Sequence, residues 1–368
     1  MENMEARAAI AYYITAHGYG HGVRSTDIIR AINRLYPEIS IHIITGLPEP
    51  FLRNRIGVET ISVRARDFDI GMVQLDSIRV DVAATLDKAL ALYAARERLL
   101  ADETAFLKEA NIDMVVTDIP SLPLEAAARV GIPCVAVGNF SWDWIYSEFL
   151  TDDSRWLPIV EMFHEQYARA DLLLRLPFHD EMEVFPKKED IPLVARPGTS
   201  SRDKIAGLTG CDPEKKWVML SFTTLDLNEE ALDRIDRIQE CEFLTVLPLQ
   251  WRRRNIHAVA REQASFSDVL ASTDVVISKP GFGILSDCVV NNKPLVYADR
   301  ANFREYPILV ESIRRYLKHV HIPTEDLYSG NLEPSLRAVE TATEPPRSLE
   351  AGGDEIAARH IVSAIKGI

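Results

Sequence analysis

An α/β protein made of two parallel-sheet halves is what this sequence predicts, on three observations. Apolar runs of strand length alternate with amphipathic stretches along most of the chain, the signature of a parallel sheet covered by helices on both faces. At 368 residues the chain exceeds what one ordinary core organises, so two domains are expected. A strand, a glycine turn and a helix also follow one another twice, once in each half.

The first strand is the apolar run Ala9–Thr15. It enters the turn Ala16-His17-Gly18-Tyr19-Gly20-His21-Gly22-Val23-Arg24-Ser25 and then an amphipathic helix, Asp27–Tyr36. Glycine at every second position permits positive φ and close approach of a ligand, while the helix start offers free N–H groups. A histidine there suits proton transfer near neutral pH. A tight turn with hydrogen-bonded structural histidines is the alternative that spacing leaves open. The spacing Gly18, Gly20, Gly22 is not G-x-G-x-x-G, and the next strand ends in Gly46-Leu47-Pro48 without an acidic residue, which disfavours a dinucleotide cofactor.

Further strands are expected at Ile41–Thr45, Glu59–Val63, Met114–Thr117, Cys134–Val137 and Leu172–Leu174, with helices at Ser77–Glu109 and Pro123–Val130. Gly131-Ile132-Pro133 ends the second helix. Between about Glu183 and Lys216 the pattern dissolves into Pro186-Lys187-Lys188-Glu189-Asp190 and Pro197-Gly198-Thr199-Ser200-Ser201, an expected connection. The expected division is therefore a first domain over 1–185, a linker over 186–216, a second domain over 217–350 and a closing segment over 351–368.

The second series has strands at Trp217–Phe222, Phe243–Leu247, Val275–Ser278 and Leu295–Ala298, with helices starting near Ser267 and Gly283. Ser278-Lys279-Pro280-Gly281-Phe282-Gly283 repeats the strand, glycine loop, helix order, and such a helix start holds phosphate through backbone donors and its dipole. Asp287, one turn in, can reach ribose hydroxyls or merely balance the dipole. Arg300-Ala301-Asn302-Phe303-Arg304-Glu305-Tyr306 follows a strand end where open sheets place binding loops, with Glu305 able to bond sugar hydroxyls. The last helix, Glu355–Ile365, lies beyond the break at Glu344-Pro345-Pro346 and can pack back on the first domain.

The balance of 41 basic and 55 acidic side chains gives a net charge of −14, which opposes binding to nucleic acid or an anionic membrane except at a local patch such as Arg252-Arg253-Arg254. Cys134, Cys211, Cys241 and Cys288 form no C-x-x-C pair, so neither zinc nor a disulfide framework is expected. No apolar run reaches the length of a membrane span, and Met1-Glu2-Asn3-Met4-Glu5 has the wrong charge for a signal peptide. A cytoplasmic protein is expected, with peripheral membrane contact left open. Asp67-Phe68-Asp69 beside Arg66 resembles a metal-binding D-x-D, yet closely spaced charges usually form a solvated loop, so no metal is expected. Trp142 and Trp144 follow a strand end and offer aromatic faces to a sugar, or serve as core.

From Tyr12 to about Arg315, with the final helix, these motifs resemble the GT-B glycosyltransferases of the inverting, metal-independent type. Tyr12-Tyr13-Ile14-Thr15-Ala16-His17-Gly18-Tyr19-Gly20-His21, Asn139-Phe140-Ser141-Trp142-Asp143, Lys279-Pro280-Gly281-Phe282-Gly283 and Asn302-Phe303-Arg304-Glu305 are similar, more specifically, to the glycosyltransferase-like N-terminal region of plant L-arabinokinases. No glycine-rich ATP motif follows Gly330, so a transferase module without a kinase is expected.

The resemblance implies two Rossmann-like domains facing across a cleft, the acceptor on the N-terminal side and the donor on the C-terminal side. It implies His21 as the base on the acceptor hydroxyl and Asp118 as the group that orients it. Lys279, Gly281, Phe282 and Gly283 fall at the donor diphosphate, Asp287 at the ribose, and Glu305 with Tyr306 at the sugar. His17, Gly18, Gly20, Arg24, Trp142 and Trp144 fall on the acceptor or cleft side. Two departures stand out: Ser221-Phe222-Thr223-Thr224-Leu225 lacks the glycines common there, and Phe266-Ser267 only partly replaces the base-stacking motif.

The expected function is inverting transfer of a sugar from a nucleoside-diphosphate sugar, a co-substrate rather than a cofactor, to a small-molecule or glycan hydroxyl. A non-catalytic nucleotide-sugar-binding regulatory module and a nucleotide-sugar epimerase are the alternatives. The sequence fixes neither the base, the sugar and the acceptor nor the oligomeric state.

Overall fold

The computed structural model describes residues 8–58, 61–300 and 303–365. Glu59 and Thr60 of the expected third strand, Ala301 and Asn302, and the ends 1–7 and 366–368 lie outside the described residues. The chain divides into two compact units. One comprises Met1–Val73, Asp81–Ala195 and Glu350–Ile368, the other Gln74–Val80 and Arg196–Leu349.

In the first unit β1 (Ala9–Ile14), β2 (Ser40–Ile44), β3 (Ser62–Arg64), β4 (Met114–Asp118), β5 (Cys134–Gly138), β6 (Leu172–Arg175) and β7 (Lys188–Asp190) form one sheet in the order β3-β2-β1-β4-β5-β6-β7. Every pairing is parallel. The inner strands β1, β4 and β5 are buried from end to end, which is why they read as continuous apolar runs. The order reverses between β1 and β4, where Ile14 lies opposite Asp118. Open α/β sheets bind ligands beyond the carboxyl ends of their strands at such a reversal.

The helix after β1 spans Tyr19–Leu35, starting earlier than the expected Asp27. Its Ile28, Ile29 and Ile32 share a core with β1 and β2 and with Ala357, Ala358, Ile361 and Val362 of the closing helix Gly353–Ser363. The chain is led there by Leu193, whose N–H donates to the Glu350 carbonyl (2.9 Å) and whose own carbonyl accepts from Gly353 (3.1 Å). The closing helix thus packs on the first unit, as expected.

Two elements differ from expectation. The helix expected over Ser77–Glu109 spans Val82–Glu109, because the Asp81 side chain accepts the N–H of Ala84 (2.9 Å) and caps it, and residues 74–80 go to the other unit. The stretch expected as a linker contains the charged edge strand β7, and the units divide between Ala195 and Arg196.

The second unit holds β8 (Lys216–Ser221), β9 (Cys241–Val246), β10 (Ile256–Val259), β11 (Val275–Ser278), β12 (Leu295–Ala298) and β13 (His319–Ile322) in the order β10-β9-β8-β11-β12-β13, again all parallel. Here the reversal lies between β8 and β11, whose ends are joined by the Ser278 hydroxyl donating to the Ser221 carbonyl (2.8 Å). All four cysteines are buried and free. Among the described residues no helix is long and apolar enough to cross a membrane, and no group of three or more His, Cys, Asp or Glu is arranged to hold a metal.

Candidate active site

His21, Arg24 and Ser25 occupy one face of the first helical turns, at the spacing that brings side chains together. All three meet the fully buried carboxylate of Asp118 at the end of β4. One carboxylate oxygen of Asp118 accepts from His21 Nδ1 (2.8 Å) and an Arg24 terminal nitrogen (2.6 Å); the other accepts from Arg24 Nε (2.7 Å) and the Ser25 hydroxyl (2.8 Å). Arg24 also donates to the Asn139 side-chain oxygen. A proton on Nδ1, directed at Asp118, leaves the His21 Nε2 lone pair for a ligand, and Nε2 has no hydrogen-bond partner among the described residues.

Burial alone would raise the Asp118 pKa, but the Arg24 guanidinium and then His21 hold it well below the usual carboxylate range. The His21 imidazole is pushed below its ordinary value, first by burial and then by the Arg24 cation 3.0 Å from Nδ1, against the pull of Asp118. A neutral imidazole oriented by a carboxylate is the ground state a general base needs.

The glycines of this turn act differently from the sequence expectation. Gly18 has extended backbone (φ −168°), Gly20 and Gly22 are helical, and none of the three has positive φ. Gly22 is instead closely packed, since a Cβ there would fall 2.6 Å from Leu47 Cδ1 and 2.7 Å from Phe51 Cε1 and would make those side chains shift. Positive φ appears at Gly71 (φ 61°), where a Cβ would lie 1.9 Å from His17 Nδ1. Gly71→Ala is therefore expected to destabilise the protein by about 1–3 kcal/mol and to displace His17, read as a lower midpoint of denaturant unfolding.

Asp69, from the D-x-D-like run, is buried rather than solvated. It accepts from Thr15 Oγ1 (2.8 Å) and Trp142 Nε1 (2.8 Å), and burial raises its pKa to about 6. Trp142, 1 % exposed, stacks on Tyr146 and meets the His17 and Phe140 rings edge-on, so it offers no free face to a sugar. Trp144 is half-buried on the same short helix, Trp142–Ser147.

In the second unit the helix Phe282–Val290 starts at Gly281 with no side-chain cap, and a Cβ on Gly281 would meet nothing nearer than Ile284 Cγ2 at 4.0 Å. Phe282 and Gly283 form the first turn, and Asp287 is half-buried further along. Two cations flank the loop. Burial and the neighbouring Arg300 push Lys279 down to about 7; burial pushes Arg300 down to about 10. Arg300 donates to the Pro280 carbonyl (3.3 Å), lies 3.7 Å from Glu305 Oε1 and sits over the Phe303 ring, while its buried Nε has no hydrogen-bond partner among the described residues. Tyr306 donates to Asp299 Oδ1 (3.1 Å), which His321 Nε2 also meets (2.8 Å).

Arg253 of the basic run pairs with Glu229 (2.5 Å) and Asp233 (3.1 Å), while Arg252 and Arg254 are exposed. Sequence reasoning missed Ser25, Asn139 and Arg300, and treated Asp69 as solvated. The helical i, i+4 spacing of Ser25 to His21 carried a signal, whereas Asn139 meets Arg24 across 115 positions.

The chain has the GT-B fold, two Rossmann-like units each bearing a turn at its strand-order reversal. Over residues 8–148 it matches the family described as Glycosyl transferase family 1. It is 31% identical over 359 residues to L-arabinokinase of Arabidopsis thaliana, an alignment covering 96% of this chain but 34% of that protein, so the chain spans about a third of its relative's length. The fold is similar to that of a UDP-glucosyltransferase from Polygonum tinctorium capable of glucosylating indoxyl (TM-score 0.63, 11% identity, 99% of each chain). It is also similar to the glycotransferase of kitacinnamycin (TM-score 0.60, 15% identity, 98% of this chain and 100% of that one).

Proposed function

We propose that the chain is a nucleotide-sugar-dependent glycosyltransferase that inverts the anomeric centre, with His21 as general base and Asp118 as the residue that orients it. The observation that carries this reading is the 2.8 Å contact from His21 Nδ1 to Asp118, which suits a proton on Nδ1, with Nε2 left without a protein partner among the described residues. Nε2 takes the proton of the acceptor hydroxyl as its oxygen attacks the anomeric carbon, and the bond to the diphosphate breaks on the opposite face. One displacement inverts the configuration.

The leaving diphosphate gathers charge. The uncapped helix start at Gly281, with Lys279 and Arg300 beside it, supports a reading in which backbone donors and two side-chain cations stabilise that charge. A diphosphate entering the site adds an anion beside Lys279 and favours its protonated form. The proposed reaction needs no divalent metal, and the enzyme is expected to keep its full transfer rate in excess EDTA.

A thermal-shift screen over nucleoside diphosphates and their sugars tests the donor reading. A true ligand at about 100 times its Kd stabilises by about 2.7 kcal/mol. The response is expected to vanish in Arg300→Ala; no response from the wild type to any nucleoside diphosphate would end this reading. Incubating the responding nucleotide-sugar with candidate acceptors and analysing the products then separates transfer from epimerisation and from binding alone.

A further inference from the structure

Residues Gln74–Val80 form a small hairpin finger that belongs to the second unit although it precedes the helix Val82–Glu109 in sequence. The finger is tied together by its own hydrogen bonds. Gln74 and Val80 pair antiparallel, and Asp76 accepts the N–H groups of Ile78 and Arg79 (both 2.8 Å) and the Arg79 Nε (2.8 Å). Ile78, 3% exposed, joins the core that holds Phe222 and Leu225, and Tyr328 donates to Asp76 (3.0 Å).

This anchoring fixes Ser77 at the strand-order reversal. Ser77 is 1% exposed, and its hydroxyl oxygen accepts the N–H of Thr223 (3.2 Å) and of Thr224 (3.0 Å), in the loop after β8 that lacks glycines. The neighbouring strand β11 leads into the Lys279–Gly283 turn, and the Asp76 charge reaches Lys279. With both lone pairs engaged, the Ser77 hydroxyl has one function left, its proton. Among the described residues that proton has no acceptor, and a buried unpaired donor is costly. Arg300 Nε is a second buried donor without a partner among the described residues, beside the same turn.

We propose that the finger Gln74–Val80 completes the phosphate site of the second unit, the Ser77 hydroxyl donating to an oxygen of the nucleoside diphosphate held at the Lys279–Gly283 turn. The inference rests on the donor reading above and adds a residue that neither glycine turn contains. It also accounts for the glycine-free loop after β8. There the backbone N–H groups need not approach phosphate, because a serine hydroxyl takes both and presents a single donor in their place.

The test titrates wild type, Ser77→Ala and Ser77→Asp with UDP, GDP, ADP and dTDP and with the parent nucleosides by calorimetry, ligand-free melting serving as the check on folding. Ser77→Ala is expected to weaken the preferred diphosphate about tenfold and leave its nucleoside unchanged. Ser77→Asp, whose carboxylate can still accept from Thr223 and Thr224 but adds an anion, is expected to weaken the diphosphate by about a hundredfold or more. Should the aspartate variant fail to fold, the alanine variant decides. Diphosphate affinity equal to wild type in the variants, or an equal loss for diphosphate and nucleoside, would overturn the role of Ser77 while sparing the donor reading. A wild type that binds none of the four diphosphates would remove both.

Discussion

Replacing His21 by alanine is expected to lower kcat for sugar transfer by about 100- to 10,000-fold, the range a positioned general base contributes. Binding of the nucleoside diphosphate is expected to stay at the wild-type level, because the turn proposed to hold it lies in the other unit. Steady-state transfer assays beside calorimetric titration of the nucleotide check both halves. Loss of nucleotide binding together with activity would instead mark His21 as structural. Asp118→Asn is expected to follow His21→Ala in kcat and to melt earlier, because Asp118 also anchors Arg24 and Ser25.

Arg24→Met is expected to be the most destabilising single change in the site. Asp118 is fully buried, and removing the guanidinium leaves its carboxylate in the interior with only His21 and Ser25 as partners. Breaking a buried ion pair from one side costs about 3–5 kcal/mol, measured as a shift in the midpoint of urea unfolding. The pH profile of the surviving activity carries a second signature. Arg24 lowers the His21 pKa and Asp118 raises it, while Tyr12, raised by burial, stays neutral. Without Arg24 the imidazole protonates at higher pH, and because the base must be unprotonated, the acid limb of kcat/KM is expected to move up. A limb that stays in place would show that Arg24 does not set the state of His21.

The same cluster fixes how wild-type stability responds to acid. The folded pKa of Asp118 is depressed, so its contribution is present above its unfolded value near 4 and is lost as pH falls through the lower, folded one. His21 acts in the same direction: its folded pKa is also lowered, so the unfolded chain takes up that proton first and stability begins to decline as pH falls through about 6.5.

The frame of both sheets was legible because strand, turn and helix signals are local. Ala9–Ile14, Met114–Asp118 and Val275–Ser278 are buried apolar runs beside turns, and they carry His21, Asp118 and Lys279 into place. Edge strands were harder to see. Lys188-Glu189-Asp190 is wholly charged, and His319-Val320-His321-Ile322 alternates over only four residues. An arginine on an amphipathic helix reads as solvent-facing, so the burial of Arg24 depends on Asp118 and Asn139, far away in sequence. Asp69 likewise depends on Thr15 and Trp142, and Ser77 on a loop 146 positions further along.

The return of the helix Gly353–Ser363 to the first sheet sets an order of events during synthesis. The second unit draws on residues 74–80 and 196–349, so all its parts are translated before that last helix. The first unit, although most of it is translated earlier, must wait with Ile28 and Ile32 uncovered until Ile361 and Val362 arrive. The half made first is the half finished last, and during that interval its bare apolar stripe is the part of the nascent chain that a chaperone would hold.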